Sequence, residues 1–268
     1  MGNVLTKPPV FHTLVQLNIN ENPKFKEAID LIHKEFYESG FIEKRLEEIE
    51  ELEFTTHVKE PKVKKMTSWH FINFEQDAGF VLNPNFIIFH TTNYTNFKKF
   101  FEILVLGMNI INKYLDALII ERIGLRYLDA VILGTDENIR THLSKDFLSV
   151  KDRFGLDSKE FRIQHAMSEK ILINEEMKEN CISRVVSAVL DGNDPLMPQE
   201  LVPLIRHLKI KEQFKNIKGL MTLIDLDSAN IELRLKATEI NELNKKLSSL
   251  HDNISIVFHN IINVEAFS

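Results

Sequence analysis

The chain has 268 residues, of which 44% are hydrophobic and 27% charged, so it can bury a core and is not intrinsically disordered. Its 33 basic and 39 acidic residues give a formal net charge of −6, which does not favour nucleic-acid binding as the main activity. Nine glycines leave few residues from which to build a phosphate-binding loop. The single Cys181 excludes an intrachain disulfide and a cysteine zinc cluster.

The first quarter of the chain shows the periodicities of strands and of one helix. Apolar residues alternate over Val10 to Asn20, which predicts a strand. Asn22-Pro23 then predicts the start of a helix that Gly40 closes. The acidic segment Glu43 to Lys59 fits either a helix or a strand, and we favour a strand over its second half. From Met66 to Thr92, apolar stretches joined by short turns predict an antiparallel meander.

Two long apolar stripes predict amphipathic helices. The first, followed by a strand over Leu118 to Ala130, consists of Phe97, Phe101, Leu104, Met108, Ile111 and Leu115. The second, in steps of three and four, consists of Ile240, Leu243, Leu247, Leu250, Ile254, Val257 and Ile261. We favour a long helix lying across a sheet for the second stripe, with a coiled coil as the alternative. If this helix supports dimerisation, we predict the oligomer interface at Leu243, Leu247, Leu250 and Ile254.

The second half of the chain carries weaker signals. Strands are predicted over Phe161 to Ile173, Cys181 to Leu190 and Leu220 to Leu226, and a short helix over Leu201 to Leu208. Each half thus runs from strands into a long amphipathic helix. We therefore predict an α+β fold of two halves, residues 1–130 and 131–268, each a mostly antiparallel sheet covered by a long amphipathic helix.

The sequence contains none of the familiar catalytic or nucleotide-binding motifs. Its ten histidines are scattered along the chain. His251 and His259 would share a helix face but lie about 12 Å apart along a straight helix, too far to bind one ion. A lone cysteine such as Cys181 is usually a buried, inert thiol. We predict no catalytic residue, no metal and no cofactor.

The most unusual segment is Glu121 to Tyr127. On a strand, Arg122, Gly124 and Arg126 would share one face, and Ile123, Leu125 and Tyr127 the other. Two arginines on one face can hold a carboxylate or phosphate. The alternative, which we favour, is that they pair with the chain's own acids, for example those between Glu47 and Glu53.

Two aspartates flank Leu226 at the end of an apolar stretch. The side chains of Asp225 and Asp227 would share a face, where paired carboxylates can hold Mg²⁺ or transfer protons. We favour a simpler interpretation, in which Asp227-Ser228 caps the final helix. The candidate ligand-binding residues are Arg122, Arg126, Tyr127, Asp225 and Asp227.

The segment Arg122 to Tyr127, which follows a long amphipathic helix, resembles the signature of a sporadically distributed family of uncharacterised prokaryotic proteins of about this length. Further pieces agree with it, namely Pro8-Pro9-Val10, Trp69-His70-Phe71, Tyr94 with Phe97, Leu226-Asp227, and Leu250-His251 before Phe258. The chain departs from the family at Asp129, where an asparagine is expected, and it lacks the closing tryptophan. The patchy distribution implies accessory genes, such as phage-defence or toxin–antitoxin loci, and implies no reaction.

Taken together, these features predict a non-enzymatic interaction protein of such an accessory prokaryotic system. Its partner would be another protein of the same operon or a second copy of the chain. The alternative is an anionic-ligand sensor or enzyme that uses Arg122 and Arg126. Because polar residues interrupt the apolar stretch Phe97 to Ile120, we predict no membrane span and expect a soluble, cytoplasmic protein.

Overall fold

The computed structural model describes residues 9–53, 62–133, 138–148, 164–193 and 196–267. The strands are β1 (Val10–Ile19), β2 (Glu43–Glu53), β3 (Lys62–Ile72), β4 (Ala78–Asn83), β5 (Phe86–Thr91), β6 (Ile119–Ile132), β7 (His165–Asn174), β8 (Glu179–Asn193), β9 (Ile217–Asn230) and β10 (Leu235–Lys236). The α-helices are α1 (Phe25–Glu38), α2 (Phe97–Asn112), α3 (Ile139–His142), α4 (Val202–Ile205) and α5 (Ile240–Ile261).

All ten strands belong to one antiparallel sheet, in the order β2-β3-β4-β5-β1-β6-β9-β8-β7, with β10 pairing with the start of β6. Strand β6 pairs with β1 on one side and with β9 on the other. The prediction of two sheets, each covered by a long helix, is therefore wrong. The sequence did not predict that β6 pairs with both β1 and β9. Contacts between strands so far apart in the chain leave no local pattern in the sequence. The predicted boundary between residues 130 and 131 falls inside β6, and the division into two domains stays a prediction.

The three long helices pack on one face of the sheet, called here the helix face. Successive strand residues point to opposite faces, so β1 directs Val15 and Leu17 to the helix face and Leu14 to the other. Helix α2 approaches closely at Gly107, where an added Cβ would overlap the ring of Phe80. The glycine therefore lets α2 lie directly on the aromatic part of the core.

Helix α5 lies across the sheet, in contact with β6, β8 and β9, which confirms the favoured interpretation of the second stripe. The four residues predicted at an oligomer interface are at most 4% exposed and belong to the chain's own core; they are Leu243, Leu247, Leu250 and Ile254. The folded chain therefore offers none of them to a partner. The predicted cap Asp227-Ser228 is also wrong, because both residues lie within β9 and α5 begins ten residues after that strand ends.

The opposite face of the sheet, called here the cavity face, is covered by residues 196–214, which we call the roof segment. It contains α4 between two short 3₁₀ turns, close to the short helix predicted over Leu201 to Leu208. A second apolar cluster joins Leu201, Ile205 and Phe214 of the roof segment to the sheet. Among the helices that the structure describes, none is long and apolar enough to cross a membrane.

Candidate functional site

A cavity of about 310 Å³ lies between the roof segment and the cavity face of the sheet. Its apolar lining consists of Leu14, Val81, Phe86, Ile88, Leu201, Pro203 and Leu204. Its polar lining consists of Gln16, Glu47, Ser68, His70, Arg122, Arg126, Glu200 and Asp227, with Gly124 between the two arginines. Although polar residues are as numerous as apolar ones, most of the exposed wall area is apolar. Such a wall with convergent polar groups is typical of small-molecule sites, and this volume is at the lower end of their range.

The alternation predicted for β6 is observed. Arg122 and Arg126 line the cavity, whereas Tyr127 belongs to the core on the helix face. The Tyr127 hydroxyl donates a hydrogen bond to the Tyr94 hydroxyl at 3.1 Å and lies 3.2 Å from Nδ1 of His251. Tyr127 is therefore separated by the sheet from the two arginines, and it ties α5 and the segment before α2 to β6.

Arg126 is held by acids of the chain itself. Its Nε and Nη2 donate to the two carboxylate oxygens of Asp225, each at 2.7 Å, and Nη2 also donates to Glu200 at 3.0 Å. Asp225 is 1% exposed, so removing Arg126 would leave its buried carboxylate with only the longer 3.5 Å contact to Nη1 of Arg184, at a cost of up to about 3–5 kcal/mol. The favoured interpretation of internal pairing thus describes Arg126, although its partners lie on β9 and the roof segment and not between Glu47 and Glu53.

Arg122 is placed differently. Among the residues that the structure describes, no carboxylate forms an ion pair or hydrogen bond with its guanidinium. The group lies over Gly124, where an added Cβ would come within 3.1 Å of Nη1. Glycine therefore makes room for a half-buried cation beside the cavity.

The two aspartates of β9 have separate surroundings. Asp225 uses both oxygens on Arg126, which leaves no pair of free carboxylates for Mg²⁺. Asp227 lies directly opposite Arg126 in the strand register and lines the cavity. Burial raises the pKa of Asp227, while the guanidinium groups of Arg126 and Arg122 act in the opposite direction. Arg122, Arg126 and Asp227 therefore line the same cavity, whereas Asp225 binds Arg126 and does not line this cavity.

A second polar cluster, which the sequence did not reveal, lies at the other end of the cavity. It joins Glu47 of β2, His70 of β3 and His207 of the roof segment, whose side-chain donor atoms all lie within 4.8 Å of one another. Oε1 of Glu47 accepts hydrogen bonds from Arg206 and contacts Nε2 of His207. Oε2 of Glu47 lies 3.5 Å from Nε2 of His70. Glu47, one of the acids that we expected to pair with the two arginines, therefore binds residues of the roof segment.

The electrostatics of this cluster follow from burial. Burial lowers the pKa of His70 to about 4, although the Glu47 carboxylate opposes the shift, so the imidazole is neutral at pH 7. Burial alone would raise the pKa of Glu47, but hydrogen bonds from Arg206 and His207 lower it. The cluster thus contains one carboxylate and a neutral imidazole, both buried. The prediction of no metal relied on spacing along the chain, and spacing cannot detect three residues that meet from different elements.

Two more histidines meet on the same side of the sheet. Nε2 of His12 and Nδ1 of His90 are 3.2 Å apart, because β1 pairs with β5. Burial lowers the pKa of His12 to about 3, so the pair is uncharged at neutral pH. The sequence does show histidines that alternate with apolar residues on the predicted strands, and this alternation indicates that one face of the sheet carries polar side chains. Their partners could not be identified without the strand order.

Comparison with known proteins gives no independent information on this site. No family model, no curated protein and no solved structure matches the chain. The resemblance to the prokaryotic family therefore stays a prediction. The structure does give a physical role to each residue of the segment that carries it: Arg122 and Arg126 face the cavity, Gly124 makes room for a guanidinium, and the residues between them enter the core.

Proposed function

We propose that the chain binds a small, largely apolar ligand that carries one anionic group, and that Arg122 holds this group. The observation that carries the proposal is the guanidinium of Arg122, which lines the cavity and has no ion pair or hydrogen bond to a carboxylate among the described residues, although it acts electrostatically on the nearby Asp227. A half-buried cation at the wall of an apolar cavity favours an anion, because water screens the charge less there than at the surface. This function corresponds to the anionic-ligand alternative that the sequence left open.

The lining of the cavity defines the rest of the ligand. Most of the wall area that the cavity exposes is apolar, so most of the ligand surface would be hydrocarbon. Gln16 and Ser68 offer neutral hydrogen bonds. Arg126 is already neutralised by Asp225 and Glu200, and its role is to fix the floor and roof of the cavity relative to each other. A monocarboxylate with an aliphatic or aromatic body fits this pattern better than a nucleotide, whose phosphates need several free donors.

Calorimetric titration with octanoate tests the proposal, with octanamide as the uncharged isostere. We expect octanoate to bind more tightly than octanamide, and Arg122→Ala to weaken octanoate by about tenfold to a hundredfold, since a hydrogen bond to a charged group contributes about 1.5–3 kcal/mol. Octanamide binding should not change. The exposed Arg234 supplies the control, Arg234→Ala, which should bind octanoate like the parent chain. Equal affinities for octanoate in the parent and Arg122→Ala proteins would refute the role of Arg122.

A second candidate function is the protein interaction that the family resemblance implies. One observation favours it: β7 is an outermost strand of the sheet, and several of its large apolar side chains are exposed, namely Met167, Ile171, Leu172 and Ile173. An exposed apolar edge strand can be extended by a strand of a partner. The partner would be a protein of the same accessory system or a second copy of this chain.

Native mass spectrometry of the protein purified from its own host tests this second candidate. We expect a heteromeric or homomeric complex for the parent chain and a monomer for the double variant Ile171→Lys, Ile173→Lys. Leu31→Lys, at an exposed position on α1, is the matched control and should keep the complex. A parent chain that is monomeric under these conditions counts against the interaction function.

A further inference from the structure

We propose that Glu47, His70 and His207 form a binding site for one divalent transition-metal ion, with zinc the best match to the donor set. Two imidazoles and a carboxylate are ligands that Zn²⁺ takes readily, and three protein ligands leave a fourth position open. Glu47 and His70 line the same cavity as Arg122, but the metal site involves neither Arg122 nor Arg126, so it can be tested with the metal alone.

The geometry of the donors supports this assignment. Bonds of 2.0–2.2 Å in a tetrahedral site place the ligand atoms roughly 3.4 Å from one another. Nε2 of His70 and Oε2 of Glu47 are already 3.5 Å apart, and all three donors lie within 4.8 Å. Small side-chain movements therefore suffice to enclose an ion. The three residues come from β2, β3 and the roof segment, so a bound ion would fasten the roof segment to the sheet.

The bonding of the buried groups is a second, independent observation. The side chains of Glu47 and His70 are 7% and 3% exposed, yet Oε2 of Glu47 has no hydrogen-bond partner among the described residues. Buried polar atoms without partners are rare, and a carboxylate oxygen is among the most expensive to leave unsatisfied. A cation beside Oε2 would supply the missing interaction. Nε2 of His70 lies 3.5 Å from this oxygen and can coordinate the same ion.

Two arginines compete with the proposed ion. Arg206 donates to Oε1 of Glu47, and Nη1 of Arg45 lies 3.0 Å from Nδ1 of His207. The side chains of Arg206 and Arg45 are 54% and 41% exposed, so both can turn towards solvent when a metal replaces them. If the three residues bind a metal, removal of Arg206 should increase the affinity for that metal. An ion-pair network without a metal site predicts no such increase.

Titration of the metal-free full-length chain with ZnSO₄, followed by calorimetry, tests the site. We expect one Zn²⁺ per chain, about a hundredfold weaker binding in His70→Ala, His207→Ala and Glu47→Gln, and about tenfold tighter binding in Arg206→Ala. His259→Ala, at an exposed histidine of α5, is the control and should bind like the parent chain. Co²⁺ should give the intense visible absorption of tetrahedral coordination in the parent and lose it in the three ligand variants.

The result for Arg206→Ala keeps the test decisive if a ligand variant fails to fold, because Arg206 is half-exposed and outside the core. Tighter Zn²⁺ binding in this variant supports the site. Equal or weaker binding in Arg206→Ala, or a parent chain that binds no Zn²⁺ in the micromolar range, overturns the proposal and leaves Glu47 as the centre of an ion-pair network. A folded His70→Ala protein that binds Zn²⁺ as tightly as the parent also overturns it.

Discussion

Asp129 carries an ionisable side chain at a buried position. It follows the Arg122 to Tyr127 segment on β6 and is 5% exposed. Burial raises its pKa from 3.8 to about 8, so the carboxyl group is mostly protonated at neutral pH. A protonated aspartate has nearly the shape of asparagine, the residue expected here in the family that the sequence resembles. An aspartate at this position therefore resembles asparagine in shape, but it makes the stability of the chain depend on pH.

We predict that Asp129→Asn stabilises the chain increasingly from about pH 4 to pH 8. Below the unfolded pKa both states are protonated, and the aspartate carries no penalty. As the pH rises towards the folded pKa, only the unfolded state ionises, so the parent chain loses stability; above about pH 8 the loss is complete. At about 1.4 kcal/mol per pKa unit, the variant should gain up to about 4 kcal/mol at pH 7. Urea unfolding of both proteins at pH 5 and pH 8 measures the difference.

The control for this prediction is Asp116→Asn. The side chain of Asp116 is 75% exposed and pairs with the exposed Lys24, so its loss should change the stability by less than about 1 kcal/mol at either pH. A gain in Asp129→Asn that is the same at pH 5 and pH 8 would show that the carboxyl group of Asp129 does not change its ionisation on folding.

At the scale of the element, periodicity predicted what depends on one segment alone. The apolar stripe of α5, the alternation of β1 and the two faces of β6 were all predicted, because burial on one side dictates the residue spacing. The stripe of α2 was predicted less accurately: Phe100 is buried and Phe101 only half-buried. This helix contacts α1 and α5 as well as the core, so its apolar surface is wider than one stripe.

Pairing between elements explains what the sequence did not show. The site forms because β3, β1, β6 and β9 lie near one another in the sheet and because the roof segment covers them. Arg122 and Arg126 were found because one strand carries both. Asp225 could not be assigned to Arg126, since the register of β6 and β9 is a property of the whole sheet. His207 lies in a short irregular segment with no periodicity, so nothing in the sequence linked it to His70.

At the scale of the whole molecule, the sheet connects the two predicted halves. Strand β6 contains the predicted boundary after residue 130 and pairs on both sides. Helix α5 packs on β6 and contacts α2 as well as β8 and β9, and one apolar cluster includes residues from β1 through α5. Neither half can therefore bury its apolar surface without the other. A cut at residue 130 would also expose the backbone of two central strands.

We therefore predict that the fragments 1–130 and 131–268 do not fold when expressed separately, and that the full chain unfolds in a single calorimetric transition. Amide NMR spectra of the fragments should lack the dispersion of a folded β protein. Mixing the fragments should restore part of it, because the β6–β9 pairing and the packing of α5 on β6 and α2 supply the missing contacts. For the full chain, the calorimetric and van't Hoff enthalpies should agree. Two resolved transitions, or one fragment that melts cooperatively alone, would instead establish two domains joined through a shared sheet.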